Sequence, residues 1–160
     1  MSEYFSAVSW RRDVQEVSDV DFLASEYSRA HLWKFDGGAE IQASSSPHIV
    51  PIPYSVEANV DPEEAFIASL SSCHMLFFIS IAAKHRLIVN EYVDNAVGIM
   101  AKNGEGKMAM TKVTLKPKVT FSEESKQVNL IKLEKMHHQA HQLCFIANSV
   151  NTEIVTEIII

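Results

Sequence analysis

The sequence is short of three things, and each shortage removes a class of protein. It has two cysteines, Cys73 and Cys144, in 160 residues. Two thiols are too few for a disulfide-stapled fold, so a pairing between them would be catalytic or redox-linked. It also lacks a stripe of positive charge. Fourteen Lys and Arg face 20 Asp and Glu, for a formal net charge of −6, and Arg11-Arg12 is the only arginine pair. An acidic balance of this kind argues against nucleic acid and an anionic membrane as partners. Long apolar runs are missing too. The longest, Met75–Ala83, is broken by Ser80 and ended by Lys84, which is too short to span a bilayer. Met1–Trp10 shows no cationic start followed by an apolar run, so a cytoplasmic protein with reduced thiols is expected. Repeats, low-complexity tracts and the CxxC and HExxH patterns are absent as well.

What remains is an ordinary globular composition, 47% apolar and 21% charged, long enough for one sizeable core and one domain spanning 1–160. Tyr4–Arg12 alternates loosely and reads as a strand, and Asp13–Tyr27 as a loop with at most a short helical turn. Arg29–Phe35 and Ala39–Ala43 flank Asp36-Gly37-Gly38, whose glycines supply the positive φ of a tight hairpin turn. Ser44–Pro53 reads as a loop, with Ser44-Ser45-Ser46 solvated, and the chain stays irregular to Val60. Leu87–Met100 fits one or two strands, Asn103–Gly106 a turn, and Met108–Phe121 an alternating strand with Pro117 at an edge or bulge. Ser122 is placed to cap a helix over Glu123–Leu143, and Val150–Ile160 reads as a closing strand. The order β-β-β-α-β-β-α-β is an α+β pattern, with two long helices against antiparallel sheet.

The first long helix has the stronger start. Asp61 suits the N-cap, Pro62 the first helical position and Glu64 the third residue of a capping box. Beyond Ala65 its apolar residues, among them Phe66, Leu70, Phe77 and Phe78, point nearly all round. Such a helix is central and covered on every side, and at this chain length full coverage calls for a second subunit.

Cys73 sits inside that helix. A free cysteine there is ordinarily a small core hydrophobe. It lies about three turns from the helix start, beyond the reach of the helix dipole, and apolar surroundings raise a thiol pKa. A reactive Cys73 therefore needs a cation brought from elsewhere in the chain.

Asp61-Pro62-Glu63-Glu64, followed by Ala68-Ser69-Leu70-Ser71-Ser72-Cys73-His74, resembles the central helix of the OsmC/Ohr family. These are the osmotically inducible and organic-hydroperoxide-resistance proteins. Ala140-His141-Gln142-Leu143-Cys144-Phe145-Ile146-Ala147-Asn148 resembles the family's second-cysteine segment, nearer the OsmC side, and Ser28-Arg29 its arginine strand. The resemblance implies an OsmC-like fold as an intertwined homodimer. By position it makes Cys73 the peroxide-reacting cysteine, Cys144 the resolving one, Arg29 the thiolate-activating arginine and Glu63 the residue that orients Arg29. It implies a thiol-dependent peroxidase acting on organic hydroperoxides through a Cys73 sulfenic acid and a Cys73–Cys144 disulfide, with no cofactor. A lipoyl-type protein or small dithiol would reset it. The alternative within the same resemblance is a non-catalytic redox-sensing or small-molecule-binding protein. Glu63 precedes Cys73 by ten residues, ~15 Å along a straight helix. A broken helix or a Glu63 from the second subunit would bring both to one peroxide.

Other patterns carry less. His137, His141 and Cys144 share one helical face, and with Cys73-His74 they could form a metal site, but histidines on amphipathic helices are ordinarily core-edge or surface residues. His74 projects ~100° from Cys73, which disfavours a direct Cys–His pair. Trp33, Phe66, Met75, Phe77 and Phe78 could line an apolar pocket, though core packing accounts for most of them.

Overall fold

A computed structural model describes residues 1–125 and 127–160. The described chain divides into two compact units, Met1–Ala65 and Phe66–Ile160.

The first unit holds an antiparallel sheet, β1 (Ser6–Ser9), β2 (His31–Phe35) and β3 (Glu40–Ala43), in that spatial order. The expected hairpin is present: His31 faces Ala43, Lys34 faces Glu40, and Gly38 takes φ +85° in the turn. The strand starts at His31, two residues later than the alternation indicated, because the Arg29 N–H is used by the Tyr54 carbonyl at 2.8 Å. Between β1 and β2 lies a short helix, α1 (Asp19–Leu23), held by a Ser18/Asp21 capping box. The serine loop differs from expectation. Ser44 and Ser46 are buried. Ser44 N–H donates to the Val60 carbonyl at 3.0 Å, and its Oγ accepts from Val56 N–H at 3.0 Å. Buried backbone groups need partners, and Ser44 supplies one to a loop that has no sheet of its own.

Helix α2 (Pro62–Lys84) starts where the sequence places it. Glu64 N–H donates to Asp61 Oδ1 at 2.7 Å, and Asp61 N–H donates to Glu64 Oε2 at 3.2 Å, closing the capping box. The nine-residue run judged too short for a bilayer lies within a 23-residue helix, and that helix is long and apolar enough to cross one. One of its faces packs against the rest of the chain. Leu70, His74, Phe78, Ile81 and Ala82 form a buried face, and Phe78, Ile81 and Ala82 pack with Met136 and Ala140. Burial of a side chain such as Phe78 contributes ~1.5–3 kcal/mol. Coverage on all sides, as the sequence led us to expect, is not found within one chain. Ala68, Ser72, Leu76, Ile79 and Ala83 form an exposed stripe on the opposite face, with Leu76 62% exposed.

Four strands, two more than expected, separate α2 from the next helix: β4 (Val89–Asp94), β5 (Val97–Lys102), β6 (Met108–Leu115) and β7 (Pro117–Phe121). The single strand read over Met108–Phe121 is broken at Lys116, whose N–H donates to Asp94 Oδ1 at 2.6 Å. Pro117 then starts β7, which pairs with β4, while β6 pairs with β5. The last strand, β8 (Glu153–Thr156), joins β6 in parallel, so this sheet is mixed rather than wholly antiparallel.

Helix α3 (Leu130–Leu143) begins seven residues later than the sequence indicated and is capped by Asn129, not Ser122. Ser122 N–H donates to the Ile88 carbonyl at 2.9 Å, and Ile88 N–H donates to Ser125 Oγ at 3.0 Å. Those bonds fasten Ser122–Ser125 to the chain leaving α2 and keep it out of the helix. Lys126, part of the same expected helix, lies outside the described residues. A 3-10 turn, Ala147–Ser149, follows α3.

Candidate active site

Cys73 and Cys144 reach one another across α2 and α3. Cys73 lies midway along α2 and is half-buried, whereas Cys144, the C-cap of α3, is 1% exposed. Both are free thiols. Burial first, and then a hydrogen bond between the two side chains, push the Cys144 thiol above its usual range. That bond favours the protonated form of Cys144. Cys144 Sγ also accepts from Ala147 N–H at 3.4 Å, because the chain turns back over the sulfur into the 3-10 turn. The pair is asymmetric: one accessible thiol beside one enclosed thiol that keeps its proton.

An aromatic edge adjoins this pair. Phe77, one turn after Cys73, meets Phe145, the residue after Cys144, at a ring separation of 5.1 Å and nearly perpendicular planes. Edge-to-face contact is a favoured aromatic geometry. Phe145 is nevertheless 70% exposed, so the second cysteine is followed by an open apolar surface.

Polar groups line the other side of α2. His74 Nε2 meets His137 Nδ1 at 2.9 Å, and the two rings stack at 5.3 Å. His137 also stacks on Phe78 at 4.2 Å. His74 and His137 are only 1% and 2% exposed. Burial, with His141 adding and Asp94 opposing, brings His74 down to about 4. Burial and then His74 bring His137 to about 3. Both imidazoles are therefore neutral near pH 7. Asp94 links α2 to the sheets: Ser71 Oγ donates to Oδ2 at 2.5 Å, while Oδ1 takes the Lys116 N–H. Burial, then Asp94, raise the Tyr92 phenol.

Arg29 and Glu63 lie in the unit Met1–Ala65. The Arg29 guanidinium stands over the Tyr27 ring at 3.6 Å, and its Nη1 donates to the Ser25 and Tyr27 carbonyls. Glu63 Oε2 is buried and has no hydrogen-bond partner among the described residues. The face shared by His137, His141 and Cys144 carries two side-chain contacts to α2. His137 is occupied by His74 and Cys144 by Cys73, and among the described residues no three His, Cys, Asp or Glu side chains are grouped to hold an ion.

The sequence reading brought Cys73 and Cys144 together and missed the partnership of His74 with His137 and the bracing by Asp94. Asp94 ends the strand Val89–Asp94, which also carries Asn90 and Glu91, so nothing local singled it out. The histidine pairing had no local signal either, because the residues are 63 apart in the chain.

Residues 56–159 match the family described as OsmC-like protein. An OsmC-like protein of unknown function from Vibrio cholerae is 61% identical, with a TM-score of 0.93, covering 99% of this chain and 100% of that one. Two structures share the fold at 14% identity and a TM-score of 0.69. One is an organic hydroperoxide resistance protein from Elizabethkingia anophelis, covering 99% of this chain and 94% of that one. The other is the organic hydroperoxide resistance protein OhrB of Bacillus subtilis, covering 99% and 98%. Comparison with curated proteins gives no match.

Proposed function

The chain belongs to the OsmC-like protein family, and from that premise we propose that it is a thiol-dependent peroxidase that reduces organic hydroperoxides to alcohols. The observation that carries the proposal is the unequal thiol pair. Cys73 is accessible, and Cys144 stands beside it enclosed and protonated. The Cys73 thiolate attacks the terminal peroxide oxygen. The O–O bond breaks, the alkoxide takes a proton and leaves as the alcohol, and Cys73 becomes a sulfenic acid. Cys144 then attacks the Cys73 sulfur, its proton departs with the sulfenic hydroxyl as water, and a disulfide closes. An external dithiol, a lipoyl-type protein or a small molecule, reduces it again. The reducing cytoplasm would supply such a dithiol.

Arg29 is the proposed source of the cation that a mid-helix thiolate requires. Glu63 supports this assignment, because a buried carboxylate oxygen without a partner calls for a guanidinium. The exposed apolar ring of Phe145 beside the dithiol favours an organic hydroperoxide over hydrogen peroxide, and the two hydroperoxide resistance proteins of the same fold lend the same substrate class.

We propose a homodimer, with the stripe Ala68, Ser72, Leu76, Ile79, Ala83 as its seam. Small residues at both ends, Ala68, Ser72 and Ala83, permit close helix approach, and Leu76 and Ile79 between them leave an apolar face open. Sedimentation at micromolar concentration is expected to give a dimer, and Leu76→Lys a monomer. A wild-type monomer would remove any second-subunit contribution to the site.

Intact mass spectrometry tests the chemistry. One equivalent of cumene hydroperoxide is expected to lower the protein mass by about 2 Da as two thiols become a disulfide, and dihydrolipoate should restore it. Thiols that survive a tenfold excess of the hydroperoxide would place the protein among redox-inert, ligand-binding members of its fold.

A further inference from the structure

The thiol pair is not the only polar link between α2 and α3. Cys73 and His74 are neighbours on α2, and their side chains leave the helix ~100° apart. Their partners on α3, Cys144 and His137, are seven residues apart, two turns or ~10 Å along one face. Two adjacent residues of one helix thus hold the other helix at two well-separated points. One attachment could act as a pivot. Two attachments fix both the crossing angle and the translation of α3 along α2.

We propose that the His74–His137 hydrogen bond is a positioning clamp that holds Cys144 within bonding reach of Cys73, so that the disulfide closes readily. Closure demands such control. A disulfide needs its Cα atoms ~4.4–6.8 Å apart with a defined torsion, and misplacement strains the bond and makes it easier to reduce. The apolar contacts of Phe78, Ile81, Ala82, Met136 and Ala140 are non-directional and tolerate small slides. A 2.9 Å hydrogen bond does not.

The energetics of the histidine pair favour a positioning role over a stabilising one. Both rings are buried, and His74 Nδ1 and His137 Nε2 have no hydrogen-bond partner among the described residues. One bond is made while two ring nitrogens are left unpartnered, an arrangement that an apolar pair of the same shape would match or exceed in stability. The return on a buried polar pair of this kind is register. Neutral imidazoles suit the task, since one N–H and one lone pair make a directed bond between them.

The clamp takes its purpose from the thiol chemistry proposed above, yet its test needs no peroxide. The Cys73–Cys144 couple is equilibrated with glutathione redox buffers, and the closure constant is read from the ratio of reduced to oxidised protein by acid trapping and mass spectrometry. In His137→Phe the stack on Phe78 is kept and the hydrogen bond is lost. The closure constant is expected to fall about tenfold, while the melting temperature of the reduced protein stays the same or rises. His137→Gln, whose amide can still reach His74 Nε2, is expected to recover at least half of that loss on a logarithmic scale. A folded His137→Phe that closes as readily as wild type overturns the clamp. Should that variant not fold, the same measurement on His74→Leu decides by the same criterion. Wild-type protein that closes its disulfide in glutathione but ignores cumene hydroperoxide would sink the peroxidase reading and leave the clamp standing.

Discussion

Cys73→Ser is expected to lower dithiol-dependent consumption of cumene hydroperoxide at least about a thousandfold, the scale of losing a covalent nucleophile. Cys144→Ser should behave differently. The first step needs only the accessible thiol, so a single equivalent of hydroperoxide should still oxidise Cys73 at close to the wild-type rate. The product should be the sulfenic acid, about 16 Da heavier and trappable by dimedone. Without the enclosed Cys144 to condense with it, the sulfenic acid is open to a second peroxide and passes to the sulfinic state. Multiple turnover should then collapse within a few cycles. Stopped-flow kinetics with mass spectrometry separates the two variants. Equal first-step rates in wild type and Cys73→Ser would remove Cys73 from the chemistry. An undiminished steady state in Cys144→Ser would remove the disulfide from the cycle. The roles are not interchangeable, because Cys144 is 1% exposed and its thiol is pushed toward the protonated form.

The second large effect is on stability. Lowering the pH from 7.5 to 5 is expected to destabilise the reduced protein by ~4 kcal/mol, about 2 for each buried histidine. In the unfolded chain both imidazoles take a proton near pH 6.5, the ordinary histidine value. In the folded chain His74 takes one near 4 and His137 near 3. Between these limits the unfolded state binds more protons, so stability is full above about pH 6.5 and falls as the pH drops toward 4. Burial is the main cause for both. His141 adds to the lowering at His74, and Asp94 opposes it. Urea unfolding at fixed protomer concentration measures the slope. In His137→Phe about half the drop should remain, carried by His74. Equal stability at pH 7.5 and 5 would mean that the imidazoles titrate in the folded protein as they do in the unfolded chain, reached by water rather than shut in.

Local signals were read correctly wherever one stretch of chain settles its own conformation. Asp61, Pro62 and Glu64 fix the start of α2 through bonds within one turn, and Gly38 fixes the β2–β3 hairpin through its own φ. Readings failed where a distant partner decides. Ser122 has the chemistry of a helix cap, yet its N–H is taken by the Ile88 carbonyl and the helix begins after Asn129. Met108–Phe121 alternates as one strand, yet the Asp94 carboxylate takes the Lys116 N–H and divides it. The α2 helix is apolar on nearly every side, but a single chain covers only the face through Leu70, His74 and Phe78. Composition does not distinguish the covered face from the open one.

The same division runs through the candidate site. The count of two thiols excluded a disulfide-stapled fold, whereas Cys73 and Cys144 were named as a redox pair by the resemblance of their two segments to the OsmC/Ohr family, against a helix position that by itself disfavours a reactive Cys73. The unequal environments of the two thiols came only from tertiary structure, since exposure is set by packing and the turn over Cys144 Sγ by the chain that follows it. His74 and His137 lie 63 residues apart. Only the crossing of α2 and α3 makes them neighbours, and only burial at that crossing keeps them neutral.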